Sequence, residues 1–182
     1  MKKYILGTLF VALLIGACTN PNKKEINEVD ALLVSVIEVE QSLLSIDTAK
    51  VFGTKRQLEK DLAAFNKIGD TLSREDAFEI ADYFGSKKKL YRLTAGYSAL
   101  VNQIRISKEQ LNNLKQDLEN GLIDKEDYAT YYSEEQSILK ALMLKINKLT
   151  TGIDRVVEKY EADRPKLLLL IEDLKQKAGA HE

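Results

Sequence analysis

The sequence is poor in the residue types that build most active sites, since its 182 residues include one cysteine, one histidine and no tryptophan. A single cysteine excludes an intramolecular disulfide. The one histidine, His181, leaves too few ligands for an ordinary zinc or di-iron site. Glycine-rich phosphate-binding motifs are also missing. The sequence therefore predicts no cofactor, no metal site and no catalytic residue, and we expect that the protein is not an enzyme.

Proline and glycine are scarce as well, with two and nine residues. Together with abundant leucine, lysine, glutamate and isoleucine, this usage is typical of a helical protein and not of a β-sandwich. Neither sign of charge is in excess, because the sequence contains 27 lysines and arginines and 28 aspartates and glutamates. Such a balance lacks the basic surface that nucleic acids bind, so we expect no nucleic-acid partner.

The hydrophobic run at the amino terminus is too short for a membrane span, which requires roughly 20 apolar residues. Two lysines precede a run from Tyr4 to Ile15, and this layout predicts a signal peptide over residues 1–17. The residues Leu14-Ile15-Gly16-Ala17-Cys18 resemble the lipobox of bacterial lipoproteins. The resemblance implies cleavage before Cys18 and the attachment of acyl chains, such as palmitate, to that residue.

A lipidated Cys18 would hold the chain in the bacterial cell envelope, with residues 18–24 forming the anchor and a short tether. Two or three acyl chains on one residue give an effectively permanent membrane attachment. The six residues 19–24 reach about 20 Å when extended, so we expect the folded domain close to the membrane. Thr19 stands where an aspartate retains lipoproteins in the inner membrane of enteric bacteria, and this favours the outer membrane. The sequence leaves a periplasmic and a surface-facing orientation open.

A single helical domain is predicted over residues 25–178, followed by a tail at 179–182, and its clearest feature is a pair of apolar stripes. The first stripe repeats every three or four residues, at Leu90, Leu93, Tyr97, Leu100, Ile104, Ser107, Leu111, Leu114 and Leu118. The second has the same spacing, at Tyr128, Tyr132, Glu135, Leu139, Leu142, Ile146, Leu149, Ile153, Val156, Tyr160, Asp163, Leu167, Leu170 and Leu174. Asn120-Gly121 predicts a helix stop between the stripes, and Asp124 predicts a new helix start. The pattern predicts an all-α, elongated helical bundle. Its long antiparallel, coiled-coil-like hairpin spans about residues 87–162, with a kink or a break at Pro165.

The residues before the hairpin predict three further helices. Residues 25–46 are apolar around much of the helix circumference, so we expect this helix at the centre of the bundle. A second helix follows, which Gly53 bends or interrupts. Ser73-Arg74-Glu75-Asp76 forms a candidate capping box that opens a short helix, with Ala77, Ile80, Ala81 and Phe84 facing inward.

Two features of the hairpin are candidate contacts with a partner. Lys87, Lys88 and Lys89 form one basic cluster, which suits anionic lipid or saccharide groups or is a solvated first helical turn. Tyr131 lies off the apolar stripe, where a tyrosine is either a contact residue or an ordinary exposed side chain. The acidic turn at 117–127 departs from the spacing of an EF-hand loop, and a helix stop, turn and start explain its residues.

These features favour a lipid-anchored, non-enzymatic binding or scaffolding protein of the cell envelope, whose hairpin contacts an envelope protein or polymer. The segment Ile106-Ser107-Lys108-Glu109-Gln110 also resembles the Leu-Thr-x-x-Gln motif of the Spy-like periplasmic helical chaperones. That resemblance implies an alternative function, in which the protein binds many unfolded client proteins weakly. The sequence does not indicate an oligomeric state.

Overall fold

The computed structural model of the chain describes residues 21–68, 73–85 and 87–179. Six helices follow one another: α1 (Lys23–Leu44), α2 (Thr48–Phe65), α3 (Arg74–Gly85), α4 (Lys87–Glu119), α5 (Lys125–Thr150) and α6 (Ile153–Gly179). Helices account for 89% of the described residues, and none of those residues forms a strand. The prediction of an all-α helical bundle is therefore confirmed. The predicted lipidation residue, Cys18, lies outside the described residues, as do Thr19 and His181.

Helix α4 is the axis of the bundle, because its 33 residues reach about 50 Å and contact helices along the whole length. Helices α1 and α5 pack against its carboxyl-terminal part, while α2 and α6 pack against its amino-terminal part. Helix α3 packs against α6. Helix α1 runs antiparallel to α4, since the side chain of Asn22 donates to the Leu118 carbonyl and Lys108 pairs with Glu40.

The bundle therefore has two hydrophobic cores that meet near the middle of α4. The first core joins α1, α4 and α5 and contains Val29, Leu32, Val36, Val39, Leu43, Leu100, Ile104, Leu111, Leu114, Leu118, Tyr128, Leu139, Leu142 and Ile146. The second joins α2, α3, α4 and α6 and contains Val51, Leu58, Ile80, Tyr83, Leu90, Leu93, Ile153, Val157, Tyr160, Leu167, Ile171 and Leu174. Ile46, Tyr97 and Leu149 pack against both cores. We call these two parts the first bundle and the second bundle.

The predicted turn between α4 and α5 has the expected chemistry. Gly121 adopts a φ of 66°, a left-handed conformation that glycine accepts at little cost. The Asp124 side chain accepts hydrogen bonds from the backbone N–H groups of Glu126 and Asp127, which satisfies two free donors at the start of α5. These contacts confirm the helix stop and start that the sequence predicts.

The second arm of the hairpin is shorter than predicted, because α5 ends at Thr150 and not near residue 162. Gly152 has a φ of 69°, so the chain turns before α6 begins at Ile153. The Lys89 ammonium donates to the Thr151 carbonyl, one of the last acceptors at this helix end. The apolar spacing continues from α5 into α6, so the turn at Gly152 could not be recognised from the stripe.

Two further expectations need correction or refinement. Pro165 lies inside α6, so there is no helix break at this position. Tyr160 and Leu167 are buried in the same core on either side of the proline, and this packing favours a continuous helix over the lost hydrogen bond. Gly53 likewise lies within an uninterrupted α2.

Helix α1 is not at the centre of the bundle, as its apolar circumference predicted. It packs one face against α4 and α5, while Val34, Ile37 and Leu44 are exposed. The central place belongs to α4, since that helix alone of the six contributes to both cores over many turns. None of the described helices has the length and apolar character that crossing a bilayer requires.

Candidate functional site

A groove of about 290 Å³ lies between α4 and α5, close to the turn that joins them. Six of the eight residues that line it have polar or acidic side chains: Gln110, Asn113, Asp117, Tyr131, Glu134 and Glu135. Leu114 and Ile123 add apolar surface. Tyr131, one of the predicted contact residues, is 52% exposed at this groove. We call this feature the α4–α5 groove.

The α4–α5 groove contains a buried carboxyl group, that of Glu135, which is unusual for a groove between two helices. The residue is 7% exposed, and its Oε2 atom has no hydrogen-bond partner among the described residues. Burial raises the pKa of Glu135, and the nearby charge of Glu134 raises it further. An unpaired buried polar atom is destabilising by about 1–3 kcal/mol. The unpaired oxygen of Glu135 therefore does not stabilise the free protein, and a functional role would explain why it is there.

Lys108 and Lys115 of α4 do not compensate this carboxyl group, because both pair with carboxylates of α1. Lys108 pairs with Glu40 of α1 at 2.8 Å, and Lys115 pairs with Asp30 of α1 at 2.7 Å. Among the described residues that line the α4–α5 groove, none is basic. The groove is thus an acceptor-rich and acidic cleft with an aromatic ring at its rim.

The predicted basic cluster lies elsewhere and has mainly structural contacts. Lys87 places its ammonium 5.5 Å from the ring centroid of Tyr91, which is a cation–π distance. Lys89 is half-buried and donates to the Thr151 carbonyl at the end of α5, while Lys88 is exposed. The cluster starts 23 residues before Gln110 on the same helix, which corresponds to about 35 Å. Lys87–Lys89 and Tyr131 therefore do not form one site.

The second bundle contains a buried polar cluster that the sequence did not reveal. Asp61 is 3% exposed and accepts hydrogen bonds from Gln57 (3.1 Å), Tyr83 (3.0 Å) and Tyr160 (2.7 Å). Arg164 donates from Nε and Nη2 to its two carboxylate oxygens, at 2.9 and 3.3 Å. This cluster ties α2, α3 and α6 together.

Hydrogen bonding decides the protonation of Asp61. Burial alone would raise the pKa of this carboxyl group, but the donors from Arg164, Tyr160, Gln57 and Tyr83 hold it below its usual value. Burial raises the pKa of Tyr160 to about 12. The carboxylate is charged and fully partnered, so we interpret this cluster as a structural clamp.

Sequence reasoning missed Glu135 and Asp61 as notable residues, for different reasons. Glu135 occupies a position of the apolar stripe, and a carboxylate in that register is a signal that can be recognised. The inward face of α3 was predicted only in part: Ile80 is buried, but Ala77 and Ala81 are exposed. Tyr83 was missed, and the structure buries it more deeply than Phe84. Apart from Gln57, which is four residues away, the partners of Asp61 lie 22 to 103 residues away, so no local pattern marks the cluster.

The described residues contain no group of three or more histidine, cysteine, aspartate or glutamate side chains placed to hold a metal ion. The chain matches no protein-family model, no curated protein and no solved structure.

Proposed function

We propose that the protein is a lipid-anchored, non-enzymatic helical binding module of the bacterial cell envelope, which contacts an envelope partner protein through the α4–α5 groove. The observation that carries the proposal is the groove itself, where exposed Tyr131 borders the buried and unpaired Glu135. Tyrosines are enriched where proteins bind one another. An acceptor left without a partner inside a groove is consistent with a contact that another molecule completes.

The position of the groove supports a partner near the membrane. Asn22 donates to the Leu118 carbonyl, so the start of α1 lies beside the end of α4 and the turn that follows it. Four residues separate Cys18 from Lys23, so these two residues lie about 18 Å apart at most. If Cys18 is lipidated, the α4–α5 turn is the membrane-proximal end of the domain. Tyr131 then lies roughly 10 Å further along α5.

The anchor is tested by metabolic labelling with a fatty-acid analogue. We expect the label on the wild-type chain and not on the Cys18→Ser variant, because the thiol is the attachment point. Membrane fractionation of both chains gives a second measurement. An unlabelled and uncleaved wild-type chain in the soluble fraction would rule the anchor out.

The partner is tested by photo-crosslinking in living cells from position 131, read by mass spectrometry. We expect one dominant envelope protein, since a specific groove selects one partner. Position 103 is the control, because Gln103 is exposed on α4 and lies outside the groove. Equal capture from both positions would contradict a specific role of the groove.

A second candidate function is a chaperone of the Spy-like kind. The exposed apolar side chains favour it, since Val34, Leu44, Phe78, Leu144 and Leu169 are all more than half exposed. Gln110, which ends the segment that resembles the chaperone motif, also lines the α4–α5 groove. A broad range of crosslinked proteins, increasing under unfolding stress, would support the chaperone instead of a single partner.

A further inference from the structure

The chemistry of the α4–α5 groove narrows the kind of side chain that can occupy it. Glu135 lines the groove with a carboxyl group whose Oε2 has no hydrogen-bond partner among the described residues, and Asp117 and Glu134 add carboxylates at the same groove. Gln110 and Asn113 add amide oxygens, while Tyr131 adds an aromatic face. The best complement is a cation that donates several hydrogen bonds and can lie over a ring.

An ammonium group fits this arrangement better than a guanidinium group. Lysine carries three donors on a compact charge at the end of a flexible stem. Arginine recognises a carboxylate best through two parallel hydrogen bonds to both oxygens. The acceptors of the groove are instead spread over side chains of two helices, including Gln110 and Asn113 of α4 and Glu134 and Glu135 of α5, which suits a point charge. The Leu114 and Ile123 side chains provide apolar contact for the methylene stem.

From these contacts we infer that the α4–α5 groove binds a lysine side chain of the partner protein, with its ammonium group hydrogen-bonded to Glu135. The inference rests on the proposed function and specifies which residue of the partner enters the groove. It accounts for the missing partner of Oε2 and for the orientation of Lys108 and Lys115 toward α1, which leaves the groove free of cations from the chain itself. Burial raises the pKa of free Glu135, and an ammonium contact would lower it again.

The test is an NMR titration of the full chain in a nonionic detergent, following the methyl signals of Leu114 and Ile123. The probe is Nα-acetyl-lysine methylamide, and its uncharged Nε-acetylated form is the comparison. We expect shifts with the lysine compound and none with the acetylated one. Glu135→Gln should weaken binding at least tenfold, because it removes the charge-assisted hydrogen bond while retaining shape.

The control variant is Glu126→Gln, which makes the same charge change at an exposed position of the same helix outside the groove. It should bind the lysine compound as the wild type does. Equal binding by wild type and Glu135→Gln, or no binding by either, would overturn the inference. Tighter binding of 1,5-diaminopentane than of the lysine compound would also overturn it, in favour of a free diamine ligand.

This titration involves no partner protein, so its result is independent of the crosslinking at position 131. A single crosslinked partner without lysine binding would leave the proposed function standing and refute the lysine contact. Lysine binding without any crosslinked partner would refute the proposed function and show that the groove accepts the cation for another purpose.

Discussion

Asp61 and Glu135 are both buried carboxyl groups in one helical bundle, yet their surroundings differ in every respect. Asp61 accepts hydrogen bonds from four residues, and its pKa is lowered. Glu135 has an oxygen without a partner, and its pKa is raised. A satisfied network holds helices together, whereas an unsatisfied one reduces stability unless another molecule completes it. Asp61 therefore stabilises the packing of α2, α3 and α6 in the second bundle, whereas Glu135 lies at the candidate site of the first bundle.

The largest expected effect tests whether the core of the first bundle supports the site. Ile146→Asp places a charge in that core, where the side chain is almost fully buried. We expect the free energy of unfolding to fall by about 4 kcal/mol or more, because the carboxylate is desolvated and packing is lost. Urea unfolding followed by circular dichroism measures the change. Leu144→Asp, two residues away and exposed, should cost less than about 1 kcal/mol.

The second largest effect is expected from removing the carboxylate of Asp61, which is fully hydrogen-bonded. Asp61→Ala leaves Arg164 and two tyrosine hydroxyls without their acceptor, so we expect a loss of about 3 kcal/mol. This value is at the lower end for a broken buried ion pair, since the Arg164 side chain is 33% exposed and water can solvate it. Thermal and urea unfolding measure it. Asp82→Ala, which breaks the exposed pair with Lys159, should change stability by less than about 0.5 kcal/mol.

The stabilisation by Asp61 should also depend on pH. The folded-state pKa of Asp61 lies below its ordinary value of 3.8, so the carboxylate stabilises the fold fully above that pH. The contribution is lost as the pH falls through the lower folded-state pKa. We therefore expect the difference between wild type and Asp61→Asn to shrink below about pH 4. A difference that stays constant down to pH 2 would mean that the charge of Asp61 does not contribute.

The sequence predicts those parts of the fold that depend on local signals, and it does not predict those that depend on long-range packing. The heptad stripe, Gly121 and Asp124 gave the fold class and the first turn, because these signals are local in the chain. The end of α5 was missed, since Gly152 sits inside a stripe whose spacing continues on both sides. The central role of α4 could not be predicted, because it depends on which helices pack together and not on the apolar content of one helix.

The candidate site was predictable only in part. Tyr131 was found because its position lies off the stripe. Glu135 occupies a stripe position with a charged side chain, and it was read as an ordinary member of the stripe. Whether Glu135 has a partner depends on where Lys108 and Lys115 are directed, and both are held by α1, more than 65 residues earlier in the chain. Such long-range pairing leaves no local trace in the sequence.

The smallest expected effect is a gain in stability, whereas the preceding substitutions reduce stability. It directly tests whether Glu135, unlike Asp61, is buried without a partner. Glu135→Gln keeps the shape of the side chain and removes a charge that is buried without a partner. We expect the free energy of unfolding at pH 7 to rise by about 1 kcal/mol, since the desolvation cost of the carboxylate disappears. Glu134→Gln, at the exposed neighbouring position, should stay within about 0.5 kcal/mol of the wild type.

The pH dependence of the Glu135 variant follows from the raised pKa. Below the ordinary value of 4.5, Glu135 is protonated in the folded and the unfolded chain, so Glu135→Gln should match the wild type. As the pH rises from there through the raised folded-state pKa, the wild type loses stability that the variant keeps. Urea unfolding curves of the wild type and Glu135→Gln at pH 4 and pH 7 therefore test whether the Glu135 carboxylate is destabilising. A variant that is less stable than the wild type at pH 7 would mean that Glu135 is partnered in the free protein, and the α4–α5 groove would then lack the open acceptor on which its proposed role depends.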